Sequence, residues 1–114
     1  MTPSAVAALI DHTLLKPDTP QTGVEQLCHE AAEFKFATVC INPTWVKLAY
    51  EQLRSTQVGV CAVVGFPFGA NTTDLKRHEA ERVIQDGASE VDMVMNVGAL
   101  RSGDLNLFED DIGN

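Results

Sequence analysis

Residues 60–64 read Val60-Cys61-Ala62-Val63-Val64, inside the longer run from Val58 to Gly65. Five consecutive apolar residues leave no polar face. A strand of that kind is buried on both sides, as strands of parallel sheets are, whereas a half-exposed antiparallel strand alternates. Three further short runs read as strands: Ile10–Leu14, Ala37–Ile41 and Glu90–Met95. The last two share the Val, Ile and Cys content and the lack of clean alternation.

Between these runs the period changes from 2 to 3.6. Val24, Leu27, Cys28 and Ala31 mark one face of a helix over about 20–34, with Pro20 suited to its first turn. Asn42-Pro43 opens a second helix, whose apolar positions are Trp45, Leu48, Ala49 and Leu53. Thr72-Thr73-Asp74 caps a third. Ala80, Val83 and Ile84 form its expected buried stripe, and Gly87 ends it. Asp104 resembles the cap of another helix running toward Asn114, and a short helix precedes the first strand. Strand starts at 10, 37, 58 and 90 recur about every 27 residues, the length of a βα unit. Parallel strands with right-handed helical crossovers form a doubly wound sheet or a (β/α)₈ barrel. Eight such units would need about 215 residues, close to ordinary barrel size.

The 114 residues suit one domain and no more by length alone. They are 45% hydrophobic and 21% charged, the composition of a globular chain. No apolar run approaches the roughly 20 residues of a membrane span, and Met1-Thr2-Pro3-Ser4 has none of the character of a signal peptide. A cytoplasmic location is expected. The net charge is −8, of which −6 falls in residues 58–114. That argues against nucleic-acid backbones, which need clustered Lys and Arg. It leaves room for a small phosphorylated ligand held by a local dipole. Glu109-Asp110-Asp111 reads as a solvated helix start. Cys28, Cys40 and Cys61 have no CxxC spacing, so no metal knuckle is expected and free thiols are the default.

In either parallel architecture ligands bind beyond the carboxyl ends of the strands. Asp92 lies inside an apolar stretch and is expected to be buried, hence paired or shifted in pKa. It is either a proton-transfer group or an acid hydrogen-bonded to a neighbouring loop. Asp11 has the same two readings, with a cap or turn role favoured. His12 alternates to the opposite face and reads as structural. Lys16 reads as a solvated loop lysine. The stretch Gly65–Asn71 could offer N–H groups to an anion, but it lacks the GxGxxG or GxxxxGK spacing and reads better as a tight turn. Cys40 ends a strand and has no basic neighbour to activate it. No Ser–His–acid arrangement and no HExxH motif occurs.

Ile10-Asp11-His12-Thr13-Leu14-Leu15-Lys16-Pro17 resembles the opening signature of the deoxyribose-phosphate aldolases. So do Val39-Cys40-Ile41-Asn42-Pro43, Val64-Gly65-Phe66-Pro67-Phe68-Gly69-Ala70-Asn71-Thr72-Thr73 and Gly87-Ala88-Ser89-Glu90-Val91-Asp92-Met93-Val94. The motifs run in that family's order over about residues 7–112. The resemblance implies a (β/α)₈ barrel of which about four βα units are present. Residues 1–114 would then form its N-terminal half, ending within the helix after the fourth strand, with no second domain. It further implies a class I, metal-free and cofactor-free lyase that joins acetaldehyde to glyceraldehyde 3-phosphate through a lysine Schiff base. Asp92 would match the proton-relay aspartate. Asp11 and Thr13 would line the pocket, and Cys40 would lie near substrate. The family's two catalytic lysines belong to later strands, and none of Lys16, Lys35, Lys47 and Lys76 matches the Schiff-base motif. The chain by itself is therefore expected to lack aldolase activity. Homo-oligomerisation, or pairing with a complementary half-barrel, is expected to cover its open sheet. A non-catalytic, self-associating half-barrel and plain truncation are the alternatives.

Overall fold

A computed structural model describes residues 2–96. Their elements are α1 (Pro3–Ala7), β1 (Asp11–Leu14), α2 (Gln21–Phe34), β2 (Thr38–Ile41), a 3₁₀ turn (Pro43–Trp45), α3 (Val46–Leu53), β3 (Gly59–Val64), α4 (Thr73–Asp86) and β4 (Glu90–Met93). The expected helix from Asp104, the acidic triplet Glu109–Asp111 and the end of the chain lie outside the described residues.

The sheet is parallel and its strand order is β1-β2-β3-β4. A doubly wound sheet reverses its order at a switch point. This one does not, so every crossover turns the same way and the helices gather on one face, as barrel winding requires. Local signals set the helix ends. The Thr72 hydroxyl accepts from Leu75 N at the start of α4, and Gly87 at φ 119° closes it with its N–H shared between Ile84 and Val83 carbonyls. α2 starts after Pro20 and stops at Lys35, whose φ of 57° is left-handed.

Register separates the two faces of the sheet. Val39, Ile41, Val60, Ala62 and Val64 point toward the helices and pack with Val24, Leu27, Cys28, Ala31, Val46, Ala49, Leu53, Ala80 and Val83. Asp11, Thr13, Thr38, Cys40, Cys61, Val63, Glu90 and Asp92 share the opposite face. There Cys40, Cys61 and Val63 form a second, smaller cluster with Leu15. β3 is buried on both faces, as its composition requires, but β4 alternates and Asp92 is exposed. The expectation of a buried Asp92 is thus corrected. Helices cover one face of the sheet only, and at the flanking strands nothing among the described residues covers the other.

The stripe of α4 also differs from expectation. Ile84 is 58% exposed, and the buried positions are Lys76, Ala80 and Val83. Spacing of i, i+4, i+7 is a regular helix face, but a lysine occupies its first position. Lys76 is 1% exposed. Its stem lies under Gly65, where an added Cβ would stand 3.1 Å from Lys76 Cε. One turn on, Glu79 Oε1 accepts the Gly65 N–H at 2.7 Å. The start of α4 therefore anchors the loop that leaves β3.

Candidate functional site

The strands stand side by side and in register, so the uncovered face is a set of layers. Asp11, Thr38 and Gly59 form the lowest. Thr13, Cys40, Cys61 and Glu90 lie above them, then Val63 beside Asp92. Asp92 is thus nearest the carboxyl ends, the end that carries chemistry in barrels of this winding.

Each candidate residue has a definite environment. Asp11 opens β1 rather than closing it, and its Oδ1 accepts the Thr38 hydroxyl at 2.6 Å. That bond ties the first two strands together low in the layer stack. Thr13 Oγ1 donates back to the Asp11 carbonyl at 2.9 Å. His12 points the other way, as alternation requires. Its Nε2 meets Glu30 Oε1 at 2.9 Å and its ring packs edge-on against Phe36. This hydrogen bond holds the Glu30 carboxyl below its usual pKa. His12 therefore belongs to the helix side of the sheet.

Cys40, Cys61 and Asp92 come together: one ligand-type atom from each lies within 4.8 Å of the other two. Burial pushes both thiols up in pKa, and the nearby carboxylate of Asp92 adds to the shift. Asp11 and Glu90 push Cys40 the same way, and Glu90 also pushes Cys61. Neither thiol is a thiolate nucleophile at neutral pH. Cys28, in the helix-side core, is likewise raised by burial, to about 11.

The loop Gly65–Asn71 overhangs the β3 end of this face. Gly65 and Gly69 both have φ of 68°, and Gly69 N–H donates to the Gly65 carbonyl at 2.7 Å. With the Gly65 N–H held by Glu79, both glycine donors are spent within the protein, so this is a tight turn rather than an anion cradle. Of the lysines, Lys16, Lys35 and Lys47 are exposed, on the loop after β1, at the end of α2 and on α3. Lys76 is too enclosed for an aldehyde to reach. Two roomier hollows, about 600 and 880 Å³, lie at the other end of the sheet beside Phe36, Lys35 and Gln57. They border the amino ends of the strands, away from Asp92 and from the end that carries chemistry in such barrels.

Sequence reasoning missed Cys61, Thr38 and Glu90 on this face. Parity of alternation counted back from Asp92 identifies Glu90. Cys61 and Thr38 emerge only once the strand register is known.

A family model described as DeoC/LacD family aldolase matches residues 5–112. Over 107 residues the chain is 57% identical to the deoxyribose-phosphate aldolase of Bacillus cereus (strain AH820), covering 94% of this chain and 48% of that protein. A crystal structure from Coccidioides immitis, assigned as a deoxyribose-phosphate aldolase, superposes with a TM-score of 0.94 at 43% identity, over 98% of this chain and 44% of that one. The tetrameric deoxyribose phosphate aldolase of Aeropyrum pernix matches at TM-score 0.81 and 29% identity, over 96% of this chain and 50% of its own. The chain spans about half the length of these relatives. It therefore belongs to the DeoC/LacD family of aldolases, and its four-stranded parallel sheet with its helices is built from βα units of that family's barrel.

Proposed function

We propose that this chain carries the acid-bearing half of an aldolase site for the reversible cleavage of 2-deoxyribose 5-phosphate to glyceraldehyde 3-phosphate and acetaldehyde. The observation that carries the reading is the position of Asp92, high on the inner face of β4 and open to solvent. A carboxylate there can take a proton from, and return it to, a bound aldehyde. Asp11, Thr13 and Cys40 line the same face. The chemistry is that of a class I aldolase, in which a lysine imine, with no cofactor, withdraws electrons from the carbon that becomes a carbanion. No lysine of this chain is both accessible and on that face, so the 114 residues alone are inactive in this reading. The protein acts in the cytoplasm on small molecules. Among the described residues no helix is long and apolar enough to cross a membrane. Treatment of the pure chain with acetaldehyde and borohydride, read by mass spectrometry, is expected to leave its lysines without stoichiometric label. Full, specific labelling of Lys16 would overturn the reading.

A second reading is favoured by the uncovered face and by β1 and β4, each paired on one side only among the described residues. Residues 1–114 would then be a single half-barrel unit that associates, with itself or with a complementary half, to cover its edges. The Aeropyrum relative is a tetramer. Light scattering is expected to give a mass above that of one chain. A folded monomer at high concentration would count against association.

A further inference from the structure

Cys40 and Cys61 face each other across β2 and β3 in direct register, and Asp92 reaches them from β4. The two sulfurs and a carboxylate oxygen lie within 4.8 Å of one another. In a tetrahedral zinc site, thiolate sulfurs about 2.3 Å from the metal stand roughly 3.8 Å apart. Closing the group onto an ion therefore takes a contraction of about 1 Å or less per pair, within the reach of side-chain rotation alone. We propose that Cys40, Cys61 and Asp92 form a binding site for one thiophilic divalent cation of the Zn²⁺ or Cd²⁺ class, with the fourth position open to solvent.

Several independent features favour a cation here. The ligands stand on three neighbouring hydrogen-bonded strands, a more rigid base than loops. Both thiols are buried, at 5% and 4% exposure, whereas Asp92 is exposed and supplies the way in. Asp11 on β1 and Glu90 on β4 share the face and add negative charge. None of the strand residues on that face is basic. Two cysteines and an acid are a borderline-soft set, suited to zinc or cadmium rather than to magnesium or calcium. Linear spacing hides the site, because its cysteines are 21 residues apart and meet only through strand register.

Binding is an exchange of protons for metal. The ion displaces one proton from each thiol and is bound by the carboxylate, with no oxidation or reduction. Among the described residues the titratable groups on this face of the sheet are Asp11, Cys40, Cys61, Glu90 and Asp92. Because thiol protons are released on binding, affinity rises as pH rises.

The test uses the 114-residue chain with CdCl₂ or ZnCl₂ as the only added metal, followed by gel filtration and elemental analysis. The expected result is one ion per chain and, for Cd²⁺, an ultraviolet thiolate charge-transfer band that grows from pH 6 to 8. Cys61→Ser should abolish the band, and Cys28→Ala should leave it unchanged. Asp92 is exposed, so Asp92→Asn tests the site in a chain whose core is untouched. It should weaken binding by roughly tenfold or more, at least the effect of losing an outer-shell partner. Absence of retained metal in the unsubstituted chain, a band that survives Cys61→Ser, or unchanged affinity in Asp92→Asn would each overturn the proposal.

Discussion

The Asp92→Asn substitution is expected to lower kcat for cleavage of 2-deoxyribose 5-phosphate by about 10²–10⁴-fold, the usual contribution of a positioned acid–base group. The measurement needs a complete barrel. Residues 1–112 of this chain, joined to the part of the Bacillus cereus relative that the match leaves uncovered, supply one, since the match takes in 94% of this chain and 48% of that protein. Asparagine keeps the size and one acceptor of the aspartate but cannot carry the proton. The neighbours cannot replace it. Burial and the surrounding carboxylates keep Cys40 and Cys61 protonated at neutral pH, so neither is a base. Asp11 sits in the lowest layer with its carboxylate already engaged by Thr38. The melting temperature of the chimera, read alongside kcat, separates loss of chemistry from loss of fold. A kcat within about threefold of the unsubstituted chimera would remove Asp92 from the mechanism. An inactive parent chimera would count against the site assignment itself.

Much of the frame was legible because its signals are local. The apolar run at 58–65 yields β3 at Gly59–Val64, and Thr72 and Gly87 bracket α4 as a cap and a left-handed stop. What the linear pattern hides is what depends on distant coverage. Asp92 looks buried in Val91-Asp92-Met93, yet exposure depends on what packs over that strand, and helices lie on its other face. The α4 stripe was rotated by one position because Lys76 fills a core place that an apolar residue would normally mark. Its long stem supplies the packing, and Ile84 is left outside. Cys40 and Cys61 are unremarkable in sequence. Only the pairing Cys40↔Cys61 makes them neighbours, and register is a property of the sheet rather than of either strand. The candidate site was therefore visible as separate residues but not as an arrangement.

The Gly69→Ala substitution is expected to cost roughly 3 kcal/mol or more of stability, against about 1–2 kcal/mol for Gly65→Ala. Both glycines have φ of 68°, so both changes carry the same left-handed backbone penalty of about 1–2 kcal/mol. Their surroundings differ. At Gly65 the new Cβ would stand 3.1 Å from Lys76 Cε, the far part of a flexible chain that can shift. At Gly69 it would collide with the carbonyl oxygen of Met95 and stand 2.9 Å from its carbon. A backbone carbonyl cannot swing aside without moving the chain, and such overpacking adds about 1–3 kcal/mol. Val94 N–H is bonded to the Val64 carbonyl at 2.9 Å, so displacement at Met95 pulls on the last tie between β3 and β4. Urea titrations of the two variants, compared at unchanged slope, read the difference. Equal costs would mean that the segment around Met95 yields freely. Unequal costs would mean that the turn after β3 is wedged against the end of β4, three residues beyond Asp92. The same wedge would then hold the carboxylate at its height on the inner face, and Gly69→Ala should lower kcat of the chimera where Gly65→Ala does not.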